Sequence, residues 1–197
     1  MDREQQTIEI LEHTEEYSGF LSILKIKLRH RLYNGEMSPV VTRELLERGQ
    51  AVAVLLYDPD ADSVVLIEQF RVGALDDPDS SWLLEVVAGV VEKGESLEDV
   101  ARREAQEEAG CTPQELEYIG RYYLTPGGSS EQIHLFYAEI DSSGMHETLG
   151  GVEDESEDIR IMVLPWNEVV ELMDSGRIIN ATAMLALQWL RLRKCSA

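Results

Sequence analysis

Basic residues are scarce in this chain: 17 lysines and arginines stand against 38 aspartates and glutamates, a formal charge of −21 over 197 residues. Such a surface repels nucleic-acid backbones and anionic membranes, and no basic patch interleaved with aromatics relieves it, so RNA binding and RNA decapping are disfavoured. A negatively charged ligand can then bind only where arginines or bound metal gather positive charge locally. Cysteine is nearly missing. Cys111 and Cys195 are too few and too far apart for a disulfide framework, which points to a reducing, cytoplasmic setting. Long apolar runs are missing too: the longest, Ala51 to Tyr57, is far too short to span a bilayer. The charged start Met1-Asp2-Arg3-Glu4 lacks the apolar core of a signal peptide. The four histidines, His13, His30, His134 and His146, show no ligand spacing, which argues against zinc.

Apolar residues make up 44% of the chain, enough for a buried core in one domain or one domain plus a short extension. Alternation over Phe20 to Leu28 reads as a strand, and Asn34-Gly35 as the turn of a hairpin. Ala51 to Tyr57 and Val64 to Gln69 read as strands around the turn cluster Asp58 to Asp62. Trp82 to Val87, Arg121 to Leu124, Ile133 to Glu139 and Ile159 to Leu164 read as further strands, and Asn167 to Asp174 and Asn180 to Lys194 as helices. Strands first, a helix in the middle, more strands and terminal helices describe an α/β plan without the regular alternation of a Rossmann or TIM fold.

The central helix is expected over Ser96 to Ala109. Ser96 followed by Asp99 resembles a capping box, Leu97, Val100, Ala101 and Ala105 form one apolar face, and Gly110 stands where a terminating glycine belongs. Glu104, Glu107 and Glu108 crowd another face at spacings of three and four, which costs a few tenths of a kcal/mol per pair unless a cation intervenes. Carboxylate oxygens suit a hard ion such as Mg²⁺ or Mn²⁺. Taken alone, the helix reads more readily as a solvated acidic face, with Arg103 and Glu107 as a simple ion pair.

The wider spacing changes that balance. Gly89, then Glu95, then Arg103-Glu104, Glu107-Glu108 and Gly110, with Ala105 and Cys111 at the two apolar positions, resembles the Nudix box at every fixed position. A chance match is on the order of 10⁻⁵. The resemblance implies a Nudix-type α/β/α sandwich with a mixed β-sheet, preceded by a small N-terminal β segment: residues 1–48 as a dimer-forming segment and 49–197 as the hydrolase domain. It implies water attack on a phosphorus of a diphosphate, with two or three Mg²⁺ ions, or Mn²⁺, held by Glu104, Glu107 and Glu108 and by the Ala88 carbonyl. Arg103 would orient a neighbouring glutamate, chiefly Glu95, and Gly89 and Gly94 would shape the loop before the helix.

Features outside the box are similar to the ADP-ribose pyrophosphatase subfamily: Pro126, fifteen residues past Cys111, the stretches Leu66 to Arg71 and Trp82 to Gly89, and the segments Asn34 to Ser38 and Arg43 to Gly49. That similarity implies ADP-ribose as substrate, AMP and ribose 5-phosphate as products, and a homodimer with exchanged N-terminal segments. It assigns Arg71 and Arg43 to the diphosphate, Phe20 to adenine and Glu131 to the substrate, although Arg43 also reads as a surface helix charge and Phe20 as a core aromatic. In the acidic run Glu153 to Asp158, Glu155 would be the general base and Glu157 an auxiliary metal or water contact; the same run also reads as a plain solvated loop. Other nucleoside diphosphate derivatives (nucleotide sugars, NADH, flavin dinucleotide) and a non-catalytic ADP-ribose-binding module are the rival readings.

Overall fold

A computed structural model describes residues 7–151 and 158–196. Two compact units are formed: residues 1–49 with 123–132, and residues 50–122 with 133–197.

In the larger unit, β4 (Gln50–Asp58) and β5 (Ser63–Phe70) are near-continuous runs of Val, Leu, Ile and Ala, as expected of strands covered on both faces. Their neighbours are β6 (Trp82–Glu85), β7 (Val87–Val90), β8 (Glu117–Tyr123), β9 (Gln132–Glu139), β10 (Thr148–Gly150) and β11 (Ile159–Pro165). Among the described residues the sheet runs β10-β11-β5-β4-β9-β8, with β6 attached to β5 and β7 to β4. The sheet is mixed. β11, β5 and β4 pair antiparallel, whereas hydrogen bonds from Gln132 N–H to the Gly49 carbonyl and from Ile140 N–H to the Tyr57 carbonyl tie like ends of β4 and β9, a parallel pair.

Alternate residues of β4 enter two separate cores. Val52, Val54 and Leu56 pack with Val100, Ala101, Ala105 and Ala109 of α1 (Leu97–Ala109). Ala53, Leu55 and Tyr57 pack with Val169 and Met173 of α2 (Trp166–Asp174) and Ala183, Ala186, Leu187 and Leu190 of α3 (Ala181–Ser196). The period of two thus places a helix layer on each face, the expected α/β/α sandwich. Trp189 packs against Tyr137, ring centroids 5.2 Å apart.

Several elements differ from the sequence reading. The stretch Trp82 to Val87 is two strands, because Ile67↔Glu85 pairs with β5 while Val54↔Val87 pairs with β4, so the chain changes partner at Val86. In the smaller unit β1 (Ile8–Ser18) joins β2 (Ser22–His30) and β3 (Val41–Glu47) in an antiparallel sheet. The acidic β1 forms beside a basic partner, with Glu9 opposite Arg29 and Glu12 opposite Lys27. Arg43 therefore stands on a strand and not on a helix, since its segment completes this sheet. Phe20 lies in the bend between β1 and β2, 96% exposed, because the chain reverses there before any core can cover it. Gly35, at φ +90°, makes the expected turn, closed by the Gly35 N–H on the Leu32 carbonyl.

One buried carboxylate ties two loops of the larger unit. Asp58, 4% exposed, accepts hydrogen bonds from the Ser142 hydroxyl (2.6 Å) and the backbone N–H groups of Ser142 (2.8 Å), Asp60 and Ala61. The Ser142 hydroxyl, helped by the three backbone donors, holds its pKa at about 2, below the ordinary 3.8. The Asp58 contribution to stability is therefore complete above 3.8 and is lost as the pH falls toward 2. Asp58→Ala, which strands these donors, is expected to cost about 1–3 kcal/mol at neutral pH and to flatten the acid limb of the stability curve, as read by urea unfolding from pH 2 to 7.

Candidate active site

The crowded carboxylates sit on α1, whose ends are set locally. The Ser96 hydroxyl accepts from Asp99 N–H at 3.2 Å and donates to the Asp99 carboxylate at 2.7 Å. At the other end Gly110 is left-handed, φ +68°, and turns its N–H back to the Gln106 carbonyl at 3.1 Å. Between these caps Val100, Ala101, Ala105 and Ala109 hold the helix on the sheet. That docking draws two acids inward: Glu108 is 2% exposed and Glu104 9%, while the Glu107 side chain stays 35% exposed.

Arg103 gathers the group. Its Nη1 donates to Glu104 Oε1 at 2.8 Å and to Glu107 Oε2 at 3.1 Å, and its Nε lies 3.4 Å from Glu95 Oε1. Burial alone would lower the guanidinium pKa, but Glu104, Glu95 and Glu107 outweigh it and raise it above the usual value. Glu95 is held in turn, since it accepts from the Glu92 N–H at 2.9 Å. The expected Arg103–Glu95 contact is thus present within a larger network.

β7 forms the other wall. A Cβ at Gly89 would fall 1.7 Å from Glu104 Oε1 and 1.9 Å from its carboxyl carbon, so glycine is what lets the carboxylate lie against the strand. Ala88 donates its N–H to Glu108 Oε2 at 2.9 Å. Ala88 stands opposite Ala53 across the antiparallel pair, and in such a strand a residue's N–H and C=O leave by the same edge. The Ala88 carbonyl therefore faces the edge that Glu108 reaches. Gly94, at φ +97°, makes the turn into the helix.

These groups fit a hard divalent cation: two buried carboxylates, a third at the rim and a backbone carbonyl on the same edge supply only oxygen donors. Among the described residues no three acidic, His or Cys side chains already close on one point, because Glu104 and Glu107 are drawn to Arg103. A cation would compete with that guanidinium for the same oxygens.

Arg71, on the same unit, is gripped by Glu85 of β6: Nε to Oε1 at 3.1 Å and Nη2 to Oε2 at 2.8 Å. The sequence reading missed Glu85, although a lone acid in the run Trp82 to Val87 was a visible signal. It also missed two glycines beside α1. A Cβ at Gly150 would lie 3.0 Å from the Glu108 carbonyl oxygen, and Gly151 donates its N–H to the Glu107 carbonyl at 3.2 Å. Glu155 and Glu157 lie outside the described residues. Phe20, Arg43 and Glu131 belong to the smaller unit, where Glu131 pairs with Arg48 at 3.3 Å and Arg43 donates to the Thr42 carbonyl.

The NUDIX domain model matches residues 47–185. The chain belongs to the Nudix family. It is 45% identical over 188 residues to the ADP-ribose pyrophosphatase of Escherichia coli K12, covering 94% of this chain and 88% of that protein. Identity to the ADP-ribose pyrophosphatase of Haemophilus influenzae is 46% over 194 residues, 95% and 88% of the two chains. The GDP-mannose pyrophosphatase of Cronobacter sakazakii is 42% identical over 153 residues, 77% of this chain and 78% of that one. A crystal structure of an ADP compounds hydrolase has the same fold, TM-score 0.71 at 24% identity, over 94% of this chain and 93% of the other. As in Nudix hydrolases generally, a divalent metal is the expected cofactor. No helix among the described residues is long and apolar enough to cross a membrane.

Gly89→Ala tests the wall of the site. The clash falls on the tip of a side chain, so the fold should persist with a melting temperature near wild type, while Glu104 is displaced. Affinity for Mn²⁺, read by titration calorimetry, should fall about 10–100-fold.

Proposed function

We propose that this chain hydrolyses the diphosphate of ADP-ribose to AMP and ribose 5-phosphate, with two or three Mg²⁺ ions as its metal and Mn²⁺ as the alternative. The observation that carries the substrate is the similarity to ADP-ribose pyrophosphatases across 94% of the chain, well beyond the box itself. The chemistry rests on the oxygen donors around α1. Glu104, Glu107, Glu108 and the Ala88 carbonyl would hold the metal, which supplies charge neutralisation at phosphate and a lowered pKa for bound water. Arg103 keeps Glu95, Glu104 and Glu107 aligned. Arg71 and Arg43 supply the fixed cations that a strongly acidic protein needs for an anionic substrate, Phe20 stacks on adenine, and Glu131 contacts the substrate. Water forms the new oxygen–phosphorus bond, the bridging phosphorus–oxygen bond breaks, and Glu155, or a glutamate of the box, takes the proton, with Glu157 as an auxiliary metal or water contact.

We further propose a homodimer built on a unit of residues 1–48, with the hydrolase domain in 49–197. What supports it is the apolar surface of β1 and its bend: Ile8, Ile10, Leu11, Tyr17 and Phe20 are all more than half exposed. The proposed location is the cytoplasm, where the free thiols Cys111 and Cys195 stay reduced. Sedimentation should return twice the 22.2 kDa chain mass.

A nucleotide-sugar substrate is the second reading, favoured by the similarity to GDP-mannose pyrophosphatase. Both are tested by incubating the protein and Mg²⁺ with ADP-ribose, GDP-mannose and NADH and resolving the products. AMP released fastest from ADP-ribose, and lost by at least about 10³-fold in Glu108→Gln, is expected. Faster cleavage of GDP-mannose would retain the chemistry and change the substrate; binding of ADP-ribose without cleavage would make the protein a sensor.

A further inference from the structure

A carboxylate stands directly behind the arginine proposed to meet the diphosphate. Glu85 has a side chain only 5% exposed, yet the Arg71 side chain it grips is 45% exposed. The two bonds are parallel, Nε to Oε1 and Nη2 to Oε2, the fork that only arginine can form. Glu85 is itself fixed from behind. Asn180 donates its Nδ2 to Glu85 Oε1 at 3.0 Å, and Asn180 Oδ1 accepts the Ala183 N–H at 3.0 Å, so the residue that caps α3 also holds the carboxylate. The positive end of that helix adds a favourable field for the anion.

Placing an acid beneath a phosphate-binding arginine costs attraction, because the pair is neutral overall. In a chain of charge −21 that loss needs a return. The return is orientation. A free arginine spreads over many rotamers and loses that freedom when it binds, whereas one clamped against a buried carboxylate has already lost it. The backbone contributes too: Arg71 N–H donates to the Ser81 carbonyl at 2.9 Å, anchoring the residue where β5 ends.

We propose that Glu85 is a positioning residue, which presets the Arg71 guanidinium for the diphosphate of the substrate and is itself set by Asn180. The inference rests on the assignment of Arg71 to the diphosphate.

Steady-state kinetics with ADP-ribose and Mg²⁺ on Glu85→Gln, Arg71→Ala and the double variant test it. Gln keeps the shape of Glu85 and removes its charge and one acceptor, so KM should rise about tenfold while kcat stays within about threefold. The double variant should be no worse than Arg71→Ala, since Glu85 acts only through that residue. A purely structural role would lower the melting temperature and leave KM alone. Glu85→Gln at wild-type KM, while Arg71→Ala raises it, overturns the positioning role, and so do effects that multiply in the double variant. An Arg71→Ala variant with wild-type KM removes the diphosphate assignment, and the inference falls with it. Arg71→Lys serves if Glu85→Gln does not fold: it keeps the charge and loses the fork, so the same KM rise is expected and its absence is decisive.

Discussion

Three glutamates within five residues of one helix repel one another, and the groups that surround α1 make that tolerable. Like charges three and four apart cost a few tenths of a kcal/mol per pair in water, and more when the helix packs and two of them leave solvent. Glu104 and Glu108 do leave it, at 9% and 2% exposure. Two devices offset the cost. Arg103 lies between Glu104, Glu107 and Glu95, and the Ala88 N–H reaches Glu108. The second would not reach if α1 stood farther from β7, and Glu104 can lie against that strand because Gly89 carries no side chain. Glycine here creates the space in which an anion can be held against a strand; its φ is not the point.

The same arrangement separates folding from chemistry. Val100, Ala101, Ala105 and Ala109 dock α1, while Glu104 lies against Gly89, Glu108 reaches the Ala88 N–H and Glu107 stays at the rim. Loss of a carboxylate therefore leaves the apolar contacts of the helix in place. Arg103 behaves differently, because it belongs to both: it relieves repulsion without metal and would compete with a metal for the oxygens of Glu104 and Glu107.

Legibility in the sequence follows how local each interaction is. The start and end of α1 were readable because Ser96, Asp99 and Gly110 act within one turn of themselves, and its stripe repeats at the helical period. β4 and β5 were readable as near-continuous apolar runs. β1 was not, since Glu9, Glu12, Glu15 and Glu16 hide its pattern and its pairing depends on Lys27 and Arg29, fifteen and twenty residues from the acids they meet. The division of Trp82 to Val87 into two strands was equally hidden, because it reflects a change of partner and not a change of composition. In the site, the box was legible through its spacing, whereas Glu85 was not: its significance lies in Arg71 and Asn180, fourteen and ninety-five residues away in sequence.

Electrostatics link these findings. With charge −21 a diffuse attraction for a diphosphate is impossible, so positive charge has to be fixed at chosen points. In the larger unit arginines are backed by buried or half-buried acids: Glu85 grips Arg71, and Glu68 accepts from Arg160 at 3.3 Å and Arg177 at 2.9 Å. An arginine backed by an acid adds less to long-range attraction than to local geometry. A binding surface built this way would discriminate by the fit of a forked donor to phosphate oxygens, which a freely moving lysine would not supply. Under the proposed function, attraction for the anion would fall to the metal held at α1, and the arginines would decide which anion fits.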